Sequence, residues 1–127
     1  GTSAKITINS TAEYETYNYT LSVFNNASET YEIKLEICSY QNINRLSNLT
    51  ILFHDNYTSS TQITINDGVV IQASGSFYAL NGLSKVFIKV ENIREIQDGE
   101  SYLYVHLRIR APNKSIYTLY LITFELT

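Results

Sequence analysis

The feature that most constrains this chain is a run of strict alternation. Tyr31, Ile33, Leu35 and Ile37 interleave with Glu32, Lys34 and Glu36, a period of two that puts apolar side chains on one face of an extended strand and charges on the other. A helix would scatter the same residues around its circumference. The segment therefore predicts a strand in a sheet with one face on a core and one in water. The pattern recurs over 16–24, where Tyr17, Tyr19, Leu21 and Val23 alternate with Asn18, Thr20 and Ser22. Tyr17 and Tyr19 are accordingly expected on the core face.

Shorter runs of the same character predict further strands at 5–9, 48–54, 61–65, 69–72, 76–80, 85–91, 102–110 and 115–126. Asn66-Asp67-Gly68 separates two of them and predicts a tight hairpin, because Asp and Gly tolerate positive φ. Asn81-Gly82 marks a second turn. Nothing of helical period runs for ten residues, and no repeat, linker or low-complexity tract divides the chain. The expected fold is a single all-β domain over 1–127, a β-sandwich of about eight to ten strands in two mainly antiparallel sheets.

The segment from Phe87 to Val105 contains Asp98-Gly99-Glu100-Ser101-Tyr102. It resembles the passage between strands E and F of immunoglobulin-like domains, where Asp-x-Gly/Ala-x-Tyr forms a tyrosine corner. The resemblance implies an immunoglobulin-like sandwich in which Asp98, Gly99 and Tyr102 make that corner, the Tyr102 hydroxyl bonding back to upstream backbone. Two positions after Tyr102 stands Tyr104 rather than Cys, and the chain has no Trp, so the disulfide-and-tryptophan core of antibody domains is absent.

Composition excludes several functions. Nine Lys and Arg stand against 12 Asp and Glu, a net charge of −3, which leaves no basic footprint for nucleic acid. Polarity comes instead from neutral groups: Ser, Thr and Asn together make 38 of the 127 residues. The two histidines, His54 and His106, read as surface or strand-end residues, and His54-Asp55 point to opposite faces of a strand. Cys38, the single cysteine, falls on the polar side or the end of its strand and has no sequence neighbour to activate it. No metal-ligand spacing, phosphate loop or nucleophile elbow occurs. The reading is a non-enzymatic protein with no cofactor and no metal. Tyr104, His106, Arg108 and Arg110 share one face of their strand and form either a binding stripe or a solvated sheet surface.

Six N-x-S/T sequons, at Asn9, Asn18, Asn26, Asn48, Asn56 and Asn113, exceed the roughly two or three that chance gives for this composition. They favour an extracytoplasmic protein and are candidate N-glycosylation acceptors. No stretch approaches the roughly 18 apolar residues that would span a bilayer. The opening Gly1-Thr2 has no initiator Met, which leads us to expect an anchor helix removed upstream.

In the segment from Leu49 to Phe53 both faces carry apolar side chains, Leu49, Ile51 and Phe53 on one and Leu52 on the other. One face can serve the core and the other needs a second strand layer or a partner. Where a partner covers it, a two-fold sheet-to-sheet or edge-to-edge homodimer centred on Ile51, with Leu49 and Phe53, is expected, and Ile51→Lys gives a folded monomer. The last strand poses the same question, with Ile116, Tyr120, Ile122 and Phe124 against Tyr117, Leu119 and Leu121, and a central strand buried on both sides answers it equally well.

The Ile-, Tyr-, Asn-, Ser- and Thr-rich composition, the absence of Met and Trp, the sequons and the segment 87–105 are similar to the archaellum F and G family of thermoacidophilic archaea. The resemblance implies a domain between the cytoplasmic membrane and the S-layer, carried by an N-terminal membrane helix. It further implies an anchoring role in the motility motor, with the S-layer protein and other motor proteins as partners and no enzymatic activity. The competing readings are a carbohydrate-binding module that uses a stripe such as Tyr104 with Arg108, and a pilus subunit that exchanges strands.

Overall fold

The structure, a computed structural model, describes residues 3–127. Ten strands follow one another: β1 (Ser3–Ile8), β2 (Glu15–Phe24), β3 (Tyr31–Gln41), β4 (Leu46–His54), β5 (Ser59–Asn66), β6 (Val69–Gln72), β7 (Tyr78–Leu80), β8 (Lys85–Glu95), β9 (Ser101–Arg110) and β10 (Thr118–Leu126). One 3-10 turn, Ile43–Arg45, joins β3 to β4. The strands form two five-stranded sheets. Sheet A has the order β1-β10-β9-β3-β7 and sheet B the order β2-β8-β4-β5-β6. All pairings are antiparallel except β1 with β10. The expected all-β sandwich is the observed one.

Alternation places the core. Ile33 and Leu35 of β3, Leu103 and Val105 of β9, and Ile122 and Phe124 of β10 face Leu49, Ile51 and Phe53 of β4, Ile63 and Ile65 of β5, and Val86, Ile88 and Val90 of β8. Each is nearly inaccessible to solvent. The hairpin between β5 and β6 turns at Asp67 (φ 51) and Gly68 (φ 73), the pair of left-handed residues that matches the twist of the flanking strands.

The homodimer interface predicted at Leu49, Ile51 and Phe53 is not an exposed surface. All three are 0% exposed inside the single chain, and Leu52, on the opposite face, is 4% exposed. β4 lies in the middle of sheet B, with β8 on one side and β5 on the other. Its inner face meets sheet A, so the predicted patch is covered within the single chain, and on the outer face only Leu52 is buried, between half-exposed Asn48, Thr50 and His54. In β10 the inward set is Ile122, Phe124 and Leu126, while Leu119 lies outward, 43% exposed.

Tyr19 also departs from expectation. The β2–β8 register shifts between Tyr17 and Leu21, so the alternation breaks and Tyr19 turns out to solvent, 64% exposed. There it meets Phe87 edge-on at 4.7 Å and His54 at 5.5 Å. Tyr17 keeps its place against the core.

The chain does cross from sheet B to sheet A between β8 and β9, where the resemblance placed the E-to-F passage. The tyrosine corner is not formed. Ser101, Leu103 and Val105 point inward, which turns Tyr102 outward, and its hydroxyl donates to Glu100 Oε2 at 3.1 Å rather than to backbone. Asp98 is exposed at the tip of the loop. Gly99, at φ 141, lets the chain pass close to the Arg45 side chain.

Arg45 holds this end of the sandwich in place of the tyrosine. Its guanidinium, 1% exposed, donates from Nη1 to Glu95 Oε2 (2.7 Å), Ser10 Oγ (3.2 Å) and the Gln97 carbonyl (3.3 Å), and from Nη2 to the Leu126 carbonyl. Ser10 Oγ donates in turn to Glu95 Oε2 at 2.9 Å. The loop before β2, the turn before β4, the loop after β8 and the end of β10 meet at one buried charge.

Candidate functional site

The outer face of sheet A concentrates the polar chemistry of the molecule. Registration of β9 against β3 sets Arg108 opposite Lys34, Arg110 opposite Glu32 and His106 opposite Glu36. Arg108 Nη2 lies 3.0 Å from Glu36 Oε1, Arg110 Nε lies 3.2 Å from Glu32 Oε1, and Lys34 Nζ stands 4.0 Å from Glu36 Oε2. Such half-exposed pairs contribute little stability, at most about 1 kcal/mol each. Their effect is to hold three cations and two carboxylates in a fixed array.

Two loops fold over one end of that array. Phe77, before β7, and Tyr117, before β10, stack with centroids 6.0 Å apart at 11°. The Arg110 guanidinium sits 3.6 Å from the Phe77 ring, and Arg108 sits 4.8 Å from Tyr117. Cation–π contact of this kind fixes both the aromatic loops and the arginine rotamers. Further along β9, Tyr102 and Tyr104 stand nearly parallel at 6.2 Å. The predicted stripe of Tyr104, His106, Arg108 and Arg110 is therefore a contiguous, half-exposed row. Phe77 and Tyr117, which complete it, fall within the predicted strands 76–80 and 115–126 but stand in the loops just ahead of β7 and β10, and no local sequence signal joins them to the stripe.

Cys38 lies on the surface. It is the extra residue of a bulge between Ile37 and Ser39, and its thiol donates to the Tyr104 carbonyl at 3.0 Å. His54 Nε2 lies 2.7 Å from the Asn18 carbonyl, on the other sheet from the stripe. No cluster of three or more His, Cys, Asp and Glu able to hold a metal ion occurs among the described residues. No helix among them is long and apolar enough to cross a membrane.

Asp55, in the β4–β5 loop, is the carboxylate most displaced from ordinary behaviour. Backbone N–H groups of Thr58 and Tyr57 and the Tyr78 hydroxyl all donate to it and hold its pKa down to about 2. These bonds measure 2.7, 2.9 and 2.9 Å. They order a four-residue turn and tie it to β7, which is a structural use of the charge.

The sequon asparagines are spread over the molecule. Asn9, Asn18, Asn26, Asn56 and Asn113 are exposed, and Asn48 is half-buried within β4.

No family model matches the chain, and no curated protein does. Among solved structures it is similar to a family 123 glycoside hydrolase from Clostridium perfringens, described for glycolipid glycan hydrolysis, at 11% identity and a TM-score of 0.45. The match covers 96% of this chain, and the chain spans 23% of the length of that enzyme.

Proposed function

We propose that this chain is a non-enzymatic anchoring domain that works outside the cytoplasmic membrane, a stationary component of the archaeal motility motor that binds the S-layer protein. One observation supports the reading: the outer face of sheet A is a broad surface whose charges are already paired and whose arginines are already held by aromatic rings. Binding through it costs little side-chain ordering, which favours a rigid protein partner. The neutral Ser, Thr and Asn cover elsewhere depends weakly on pH, as an acidic exterior requires. Other motor proteins are the second class of partner this reading entails.

Co-sedimentation of the purified domain with isolated S-layer sheets, at acidic and neutral pH beside an unrelated β-sandwich, tests the proposal. The expected result is saturable retention that falls at least tenfold in the double variant Tyr104→Ala, Arg108→Ala. Absence of retention at both pH values would overturn the reading, and a tyrosine signal that shifts with soluble glycans would favour a carbohydrate-binding module instead.

A further inference from the structure

We infer that three of the six sequons, Asn26, Asn56 and Asn113, are the N-glycosylation acceptors of the folded protein, and that the fold closes the other three. Occurrence in the cell rests on the extracytoplasmic reading above; the choice of sites rests on geometry alone. Transfer to a folded chain requires that the sequon be drawn from the surface, so that the asparagine amide and the hydroxyl two residues later are both free. Loops that can leave the surface without breaking a strand pair meet that requirement.

The three acceptors share one end of the sandwich. The β2–β3, β4–β5 and β9–β10 loops carry them, and the strand register sets Phe24 beside Lys85, His54 beside Phe87 and Arg110 beside Glu32 at that end. Asn26 follows Asn25, which is buried and donates its amide to the Glu29 and Leu80 carbonyls at 2.8 and 3.1 Å. Asn25 thus pins the base of the loop and leaves Asn26 outward. Asn56 stands at φ 76 next to Tyr57, which is 94% exposed. Thr58, its hydroxyl partner, bonds to Asp55 within the same turn and meets the Tyr78 hydroxyl of β7; these are side-chain bonds, so opening the turn breaks no strand pair. Asn113 stands at φ 62 in an exposed stretch with Pro112, Lys114 and Ser115, where the Lys114 N–H donates to the Ala111 carbonyl.

The other three are held. Asn48 pairs with Asn66 on one side and Arg94 on the other, inside sheet B. In the Asn18 sequon the Thr20 hydroxyl donates to the Ile88 carbonyl at 2.8 Å, and the Asn18 carbonyl is bonded by His54. Asn9 accepts from the Thr127 hydroxyl at 2.7 Å through Oδ1 and from the Tyr17 hydroxyl at 3.0 Å through its carbonyl. The residue after it, Ser10, belongs to the buried Arg45 cluster.

A feature beside Asn26 fits a sugar. Phe24, two residues before it, is 58% exposed and borders a furrow of about 300 Å³ together with Asn26, Ala27 and Tyr31. An aromatic face of that size offers apolar contact to the C–H groups of a first sugar. The co-reactant is an oligosaccharide linked to a polyprenyl diphosphate. The asparagine Nδ2 forms a C–N bond to the anomeric carbon while the anomeric C–O bond breaks. The diphosphate leaves with the bonding pair, and the amide proton passes to a base of the transferase.

The test uses a purified single-subunit oligosaccharyltransferase that accepts N-x-S/T, its polyprenyl-linked oligosaccharide, and this chain either folded or unfolded in urea and diluted into the assay. Glycopeptide mass spectrometry then reads each site. The folded chain is expected to be modified at Asn26, Asn56 and Asn113, with at least tenfold less at Asn9, Asn18 and Asn48; the unfolded chain is expected to gain Asn9, Asn18 and Asn48. Modification of Asn9, Asn18 or Asn48 in the folded chain at loop rates, or refusal of the loop sites that the unfolded chain accepts, overturns the assignment. Unmodified protein from its own cells, beside a folded chain accepted in vitro, overturns the extracytoplasmic reading instead.

Discussion

Arg45 Nη1 donates to Glu95 Oε2 across 2.7 Å at the end of the sandwich, the guanidinium 1% exposed and the carboxylate 13%. A buried cation so placed is tolerable only while its partners are present. Glu95→Leu leaves the charge without a counter-ion and is expected to destabilise the domain by about 3–5 kcal/mol. The double variant Arg45→Met, Glu95→Leu, which removes both charges, is expected to recover most of that loss. Urea unfolding of the three proteins measures the coupling, and additive effects would show that the pair does not act as a unit.

Ile51→Lys places an ammonium at a position that is 0% exposed between the sheets. We expect loss of the β-sheet circular dichroism signal rather than a folded monomer. Ile51→Val is expected to fold with a loss of about 1 kcal/mol. A folded lysine variant of altered mass in light scattering would return Ile51 to the surface.

Tyr102→Phe removes one hydrogen bond to an exposed glutamate. The expected cost is below about 1 kcal/mol. Thermal unfolding of this variant separates the observed arrangement from a tyrosine corner, whose loss would be several times larger.

Asp55 has its pKa lowered from 3.8 to about 2. A depressed carboxylate stabilises the fold at pH values above its ordinary pKa, and that contribution disappears as pH falls through the depressed value. The thermal midpoint of Asp55→Ala is expected to lie below that of the parent at pH 5, with the gap closing as the pH is lowered from about 4 to about 2. A gap independent of pH across that window would show that the carboxylate charge contributes nothing.

Gln62 ties the two sheets. Its Oε1 accepts the Leu35 backbone N–H at 2.9 Å, and its Nε2 donates to Ser60 Oγ and the Ser76 carbonyl. β7 pairs with β3 only from Tyr31 to Ile33, so no strand meets the Leu35 N–H. Gln62→Leu, similar in size, is expected to cost about 1–3 kcal/mol by orphaning it, with faster amide exchange at Leu35 as the readout.

Much of the fold was legible because the signals are local. Each of the ten predicted strands has its counterpart, and the Asp67-Gly68 turn needed no information beyond its own residues. Strand ends were less legible: β8 runs on to Glu95, and β10 begins at Thr118, where pairing partners rather than period set the limit. The stripe on β9 was visible as spacing, while the aromatic rings that complete it were not, because they arrive on loops from β7 and β10.

By itself the sequence determined the period, the turns and the neutral polar surface, since each depends on residues within a few positions of one another. Tertiary structure decided which apolar faces are covered, and why Tyr19 points out while Tyr17 points in. It also decided that an arginine rather than a tyrosine closes the β8–β9 end. Arg45 meets Ser10, Glu95 and Leu126 from 35, 50 and 81 residues away. No local pattern encodes a buried charge whose partners are that distant; only the packing of the two sheets brings them within hydrogen-bond reach.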